Sequence, residues 1–212
     1  MISSPREGLH PNRSATACLI RRRFASVIYA SAHENLSPQR GPEVICAENT
    51  RYSVSKPSPA ELNIRPARSE DLDLLLAIER QCFRAHRFTR KDFQYHLKNP
   101  RSILAVAEVG DKIAGYVAGI IYHGSQRRLG WIYSMAVLPA WRGRGIASRL
   151  LSHFENEAAK EGSQAVVLEV RKNNRAALSL YRKTGYEVTK TLPDYYSKNS
   201  DGLRMRKQLP LT

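Results

Sequence analysis

From residue 62 onward the chain alternates between short apolar runs and helical stripes. Leu62–Pro66 reads as a short strand. Ser69 stands where a helix cap belongs, with Glu70 and Asp71 in the first turn. Leu72, Leu75, Leu76, Ile78 and Phe83 then line one helix face. Thr89 caps a second helix, which must stop before Pro100 because the residue ahead of a proline avoids helical geometry. Ser102–Val109 and Lys112–Tyr122 are strands joined at Gly110-Asp111, a hairpin signal. Leu129–Val137 is a strand that runs into a loop holding Pro139, Gly143 and Gly145. The longest helix spans Gly145–Glu161, with Ile146, Leu150 and Phe154 at helical spacing and Leu151 and Ala158 beside them. Ala165–Val170 is a strand and Asn174–Lys183 a helix stopped at Gly185. Tyr186–Leu192 and Leu203–Leu209 close the pattern as strands. The order βααβββαβαββ predicts an α/β (α+β) domain around a central twisted mixed sheet, with no internal repeat.

Residues 1–60 show no such periodicity. They are rich in Ser, Pro, Asn and Arg and close with Ser-Lys-Pro-Ser-Pro-Ala at 55–60. This composition reads as a basic, disordered extension ahead of one domain at 61–212. Arg21–Tyr29 has the makings of a short basic amphipathic piece. Being Arg-rich and acid-poor, the segment faintly suggests an organelle transit peptide. A dispensable tail and a misassigned start codon read equally well.

The full chain has 212 residues and 42% hydrophobic content, compatible with a real core. The apolar run Ile113–Tyr122 is only ten residues, too short to span a bilayer, so no membrane partner is expected. Cys18, Cys46 and Cys82 are scattered and odd in number, against a disulfide framework and against a zinc site. A reducing, cytoplasmic setting is the simplest expectation. Net charge is +15. Residues 1–60 hold eight Lys/Arg and four Asp/Glu, leaving 26 and 15, a net +11, for the folded part. That excess suits a polyanionic cofactor or an RNA-rich neighbour such as the ribosome, and equally plain solubility. No basic stripe interleaved with aromatics stands out, which disfavours direct nucleic-acid binding.

The most informative stretch is Met135-Ala-Val-Leu-Pro-Ala-Trp-Arg-Gly-Arg-Gly-Ile-Ala-Ser148. Strand, glycine loop and helix together put free backbone N–H groups at the positive end of a helix dipole, a site for an anion such as phosphate. Gly143 and Gly145 permit unusual backbone angles and close approach, and Arg142 and Arg144 add charge. A P-loop would need Gly-Lys-Ser/Thr, and the dinucleotide fingerprint would need Gly or Ala at position 148, which is Ser. A glycine turn that merely starts a helix is the plain alternative. The order Arg142-x-x-Gly145-x-Ala147 resembles the acetyl-CoA pyrophosphate loop of the GNAT superfamily of N-acetyltransferases. Leu168-Glu-Val-Arg-Lys-Asn-Asn174, Ala176-Ala-Leu-Ser-Leu-Tyr181 and Gly185-Tyr186 resemble the second half of the same domain. The likeness covers roughly residues 62–210 and is strongest to ribosomal-protein-alanine and other N-terminal acetyltransferases.

The resemblance implies acetyl-CoA as co-substrate, no metal, and transfer of acetyl to a primary amine. The N-terminal α-amine of a protein or peptide, such as a ribosomal protein, leads as acceptor. Lysine side chains and small-molecule amines are alternatives, and a non-catalytic acyl-CoA-binding module is the rival class. Backbone groups of Met135, Ala136 and Val137, freed by a distorted strand, would meet the pantetheine arm and acetyl carbonyl. Arg142, Gly143, Arg144, Gly145, Ile146, Ala147 and Ser148 would hold the pyrophosphate. Asn174 matches a cofactor-bonding position, and is also a helix cap by its place. Glu169 stands in the apolar run Ala-Val-Val-Leu-Glu-Val, where a carboxylate is costly unless paired or neutralised. The family makes it the general base, whereas a solvent-facing residue or a partner of Arg171 are the plain readings. The family makes Tyr181 the acid for the leaving thiolate, where a core tyrosine is the commonplace reading. Tyr195 and Tyr196 match a pair that holds the peptide's first residues, and could equally cover the sheet edge. Tyr133 and Trp131 share a strand face and either line the amine channel or pack in the core. His86, His96, His123 and His153 show no ligand spacing. Arg84–Thr89 lacks the Pro-Trp that ribosomal-alanine enzymes tend to carry there, which puts that particular substrate in doubt. A monomer is the default.

Overall fold

The computed structural model describes residues 62–84, 86–124 and 128–210. The expectations for residues 1–60 lie outside them. Seven strands form a single sheet in the order β1-β2-β3-β4-β5-β7-β6. In chain order the elements are β1 (Leu62–Pro66), α1 (Leu72–Cys82), α2 (Arg90–Lys98), β2 (Ser102–Val109), β3 (Lys112–His123), β4 (Arg128–Val137), α3 (Ile146–Lys160), β5 (Ala165–Arg171), α4 (Arg175–Lys183), β6 (Glu187–Ser197) and β7 (Ser200–Gln208). All neighbours pair antiparallel except β4 and β5, which run parallel. The expected mixed-sheet fold is what forms. Among the described residues no helix is long and apolar enough to cross a membrane.

Each face of the sheet carries two helices and its own core. On one face Leu150 and Phe154 of α3 and Ala177 and Tyr181 of α4 pack over Ile132, Met135, Leu168 and Val170. On the other, Leu75 and Ile78 of α1 and Phe93 of α2 pack over Val106, Tyr116, Trp131 and Tyr133. Gly119 allows α3 to close down: a Cβ there would fall 2.5 Å from the Phe154 ring.

Two local expectations change. Ser69–Asp71 is a 3-10 turn and α1 begins at Leu72, with Asp71 rather than Ser69 at its N-cap position and no side-chain cap bond to the helix. The Asp71 carboxylate accepts the Arg68 N–H at 2.7 Å and is gripped by Arg65 at 2.7 and 3.0 Å. A carboxylate that satisfies a backbone donor and a guanidinium together outcompetes a serine hydroxyl. The C-terminal hairpin is also longer than its apolar pattern, running to Ser197 and resuming at Ser200. β6 is the sheet edge and mostly exposed, so it carries little alternation to read, and an edge tolerates Pro193. Thr89 caps α2 as expected, in a reciprocal box with Asp92.

Arg65 holds the Asp71 carboxyl below its usual range. A depressed carboxylate contributes stability above its unfolded value of 3.8, lost as pH falls below that. Asp71→Ala should therefore cost about 2 kcal/mol at pH 7 through the lost bond to the Arg68 N–H and the lost ion pair with Arg65. Denaturant titrations at pH 7 and pH 3 should show the gap between variant and wild type shrinking on acidification.

Candidate active site

The site begins where two parallel strands part. β4 pairs with β5 only from Leu129–Ala165 to Ile132–Leu168. One residue further, the β3–β4 register jumps from Gly119–Ile132 to Ala118–Ser134, leaving Tyr133 as the extra residue of a bulge. The bulge sends consecutive side chains to one face. Tyr133 packs in the α1/α2 core, and Ser134 Oγ lies 2.7 Å from Tyr116 Oη and 3.1 Å from Glu79 Oε1 on that same side. Beyond it the ladder to β3 is regular through Met135, Ala136 and Val137. The distortion expected at 135–137 thus sits at Tyr133. The Leu138 N–H donates to Ala114 C=O. Alternation then turns the backbone of Ala136 toward β3 and those of Met135 and Val137 toward the gap.

The glycine loop closes one end of that gap. Arg142 Nε and Cys82 Sγ both donate to Val137 C=O, at 3.1 and 3.6 Å. Arg142 therefore ties the loop to the strand, and Arg144 lies with its guanidinium 5.0 Å above the Trp141 ring. Gly143 and Gly145 have φ of +74° and +79°, and a Cβ at either would meet nothing within 4 Å. Both glycines are demanded by backbone angle, and both leave open space in front of them. Gly145 precedes the fifteen-residue α3 and offers no side-chain cap, so the first-turn N–H groups of Ile146, Ala147 and Ser148 await an acceptor. A cleft of about 350 Å³ lies there, lined by Val137, Arg142, Gly143, Gly145, Ala147 and Leu180. Loop, dipole and space fit a pyrophosphate.

Two buried groups face the parting strands. Glu169 on β5 is 3% exposed, and its Oε2 accepts Trp131 Nε1–H at 2.8 Å. Its Oε1 accepts Arg204 Nε–H at 3.0 Å, and the same guanidinium lies 4.9 Å above the Trp131 ring. The ion pair is with Arg204, not Arg171. Arg171 donates to Ser200 Oγ at 2.7 Å and covers the Tyr196 ring at 4.3 Å. Tyr181 on α4 is 0% exposed and its hydroxyl has no partner among the described residues. Burial raises its pKa well above the ordinary phenol value, with Tyr196 adding to the shift. Tyr196 is buried with an unpartnered hydroxyl too, and Tyr195 packs edge-on against it at 5.1 Å. Asn174 Oδ1 caps α4 through Ala177 N–H at 3.2 Å, leaving Nδ2 to donate elsewhere. Tyr133 Oη bonds Tyr122 Oη on the α1/α2 face. The four histidines show no metal grouping among the described residues, and His96 is a packing residue, stacked on Phe88 and bonded to Ser102.

One cluster escaped the sequence reading. Glu79 on α1 is 1% exposed, and burial pushes its carboxyl up to about 7 against hydrogen bonds from Tyr116, Ser134 and the Phe88 N–H. The signal was present: Leu72, Leu75, Glu79 and Cys82 share one helix face, so an acid stands on the apolar stripe.

A strand edge that ends beside an anion cradle suits an acyl-CoA thioester, its phosphates on the helix and its carbonyl along the edge. By class the protein is an acyl-CoA-dependent N-acyltransferase. Residues 72–186, more than half of the chain, match the family model described as the acetyltransferase (GNAT) family, and the chain belongs to that family. It is 34% identical to an uncharacterised N-acetyltransferase of Methanocaldococcus jannaschii over 69% of this chain and 92% of that one. It is 33% identical to an N-alpha-acetyltransferase of Sulfurisphaera tokodaii over 70% of this chain and 94% of the relative. Among solved structures, Ard1 of Thermoplasma volcanium superposes with a TM-score of 0.63 at 26% identity, covering 71% of this chain and 99% of that one. The ribosomal-protein-S18-alanine N-acetyltransferase of Escherichia coli shares the fold at a TM-score of 0.62 and 23% identity, over 71% and 96%. The protein is thus an acetyl-CoA-dependent N-acetyltransferase.

Gly145→Glu places a side chain and a like charge in the open space before α3. Calorimetry should find acetyl-CoA affinity lowered at least about tenfold, a loss of about 1.4 kcal/mol. Unchanged affinity would remove the pyrophosphate from this loop.

Proposed function

We propose that the protein acetylates the N-terminal α-amine of a protein or peptide by direct attack within a ternary complex. The acetyltransferase is the domain at 61–212, residues 1–60 being an extension. The observation that carries the acceptor class is the ion-paired state of Glu169, supported by relatives named as N-alpha-acetyltransferases.

Acetyl-CoA supplies an acetyl thioester and a thiolate leaving group. Met135 and Val137 offer backbone groups at the free edge of β4 to the carbonyl oxygen. The amine forms the new C–N bond as the C–S bond breaks. Glu169 accepts the proton shed by the amine, directly or through a water, and Tyr181 delivers its hydroxyl proton to sulfur. A phenol carries its proton at neutral pH, so the proton is in place when the thiolate leaves.

Glu169 is a carboxylate paired with Arg204, and an ordinary carboxylate is too weak a base to strip a strongly basic ammonium. An α-amine, with a pKa of about 8, is roughly one-tenth neutral at pH 7, while a lysine at about 10.4 is neutral in fewer than about one molecule in a thousand. The site therefore suits an acceptor of which a sizeable fraction arrives deprotonated. Tyr195 and Tyr196, with Tyr133 on the opposite wall, are the residues proposed to receive the peptide's first residues. A ribosomal protein is one acceptor of this class.

Mass spectrometry of peptides beginning with Ala, Ser or Met, each with one lysine and with free or blocked N-termini, tests the acceptor. Acetyl should appear on free N-termini and not on lysines of blocked peptides; the reverse would overturn the reading. Glu169→Gln and Tyr181→Phe should each lower kcat by about a hundredfold, with acetyl-CoA affinity kept within about threefold. Transfer at wild-type rates by both variants would sink the mechanism.

A further inference from the structure

The mechanism leaves Glu79 without a use, although a buried carboxylate is an expensive way to pack a helix on a sheet. An apolar residue at that place would fill the same core. What it would not do is join three separate segments. Glu79 Oε2 accepts the Phe88 N–H at 3.3 Å, near the end of the connection between α1 and α2. Its Oε1 accepts the Ser134 hydroxyl at 3.1 Å and the Tyr116 hydroxyl, and those two hydroxyls lie 2.7 Å apart. Ser134 is on β4 immediately after the bulge, and Tyr116 is on β3. Both are 0% exposed.

The geometry matters because of what each segment borders. The α1–α2 connection leaves Cys82, whose thiol donates to Val137 C=O at the end of β4. It returns at Phe88, which stacks on His96, itself 6.1 Å from the Tyr133 ring. This connection therefore flanks β4 from bulge to glycine loop, on the face to which Trp131 and Glu169 belong. Ser134 reaches Glu79 only because the extra residue, Tyr133, turns it to that face.

We propose that Glu79 is a positioning residue for acetyl transfer, tying the Phe88 end of the α1–α2 connection to Ser134 and Tyr116 so that the acceptor wall stays in register with the strand edge that receives the acetyl group. The inference rests on the reading that the acceptor enters on the face of Glu169. The charged and titratable groups that bear on Glu79 are Tyr116 from β3, Cys82 one turn along α1, and Arg87 in the connection.

Glu79→Met keeps the length and packing of the side chain but offers no acceptor to the Phe88 N–H, while the Ser134 and Tyr116 hydroxyls keep their bond to each other. The variant fills the same core and releases the connection. Steady-state kinetics with an Ala-starting peptide and calorimetry with acetyl-CoA should show acceptor KM raised about tenfold or more, with acetyl-CoA affinity within about twofold of wild type. Unchanged acceptor kinetics would overturn the proposal. So would a parallel loss of acetyl-CoA affinity, since that marks general loosening of the fold. Should Glu79→Met not fold, Ser134→Ala removes one hydroxyl from Oε1 and should raise acceptor KM more than it weakens acetyl-CoA; equal effects on both would again overturn the proposal. A wild-type enzyme that uses only lysine peptides would refute the α-amine reading alone, and the same comparison is then made with the lysine peptide.

Discussion

The parting of β4 from β5 is the constraint on which everything else depends. A parallel ladder that ends after Ile132–Leu168 leaves two rows of backbone groups with no strand between them. In most sheets such an opening would be costly, because buried N–H and C=O groups need partners. Here the opening has a cause, the extra residue at Tyr133, and a use, a strand edge that can bond an extended ligand. Helices pack over the sheet on both sides of the gap, so it is reached from two faces. The α3 N-terminus and Tyr181 belong to one face, Trp131 and Tyr133 to the other. A donor with phosphates and an acceptor with an amine can thus meet at the edge without crossing paths.

The parts legible in the sequence are those whose signal is local. The glycine loop could be read because positive φ and close approach both restrict a position to glycine, and the loop lies between a strand and a helix with clear periods. Glu169 stood out because a charge in an apolar run needs a reason. The partner of that charge was not legible. Arg171 is two residues away on the same strand, but β7 inserts between β5 and β6, and the register Glu169–Arg204 brings in a residue 35 positions distant. Only the strand order reveals that pairing.

The bulge is silent for a different reason. Nothing in Tyr-Ser-Met marks an inserted residue, since each of the three is at home in a regular strand. Its consequence, Ser134 on the same side as Tyr133, depends on the register with β3. Glu79 falls between the two cases: its place on the α1 stripe was visible, whereas its partners come from strands 37 and 55 residues away.

The polar groups of the site divide by whether the fold itself satisfies them. Glu169 and Glu79 are saturated with donors, as buried carboxylates must be, and are fixed before any ligand arrives. Tyr181 and Tyr196 are the opposite: deeply buried, with hydroxyls that no group among the described residues meets. An unmade hydrogen bond of this kind costs about 1–3 kcal/mol, and phenylalanine would remove the cost at either position. A core selected only for packing would have no reason to keep them. Tyr196 adds to the upward shift at Tyr181, and Tyr196 itself feels Glu169. The buried hydroxyls of Tyr186 and Ser163 are unmet as well among the described residues, so the pair near Glu169 is part of a wider set. The two carboxylates are fixed by bonds that the fold itself supplies, while the Tyr181 and Tyr196 hydroxyls find no protein partner among the described residues.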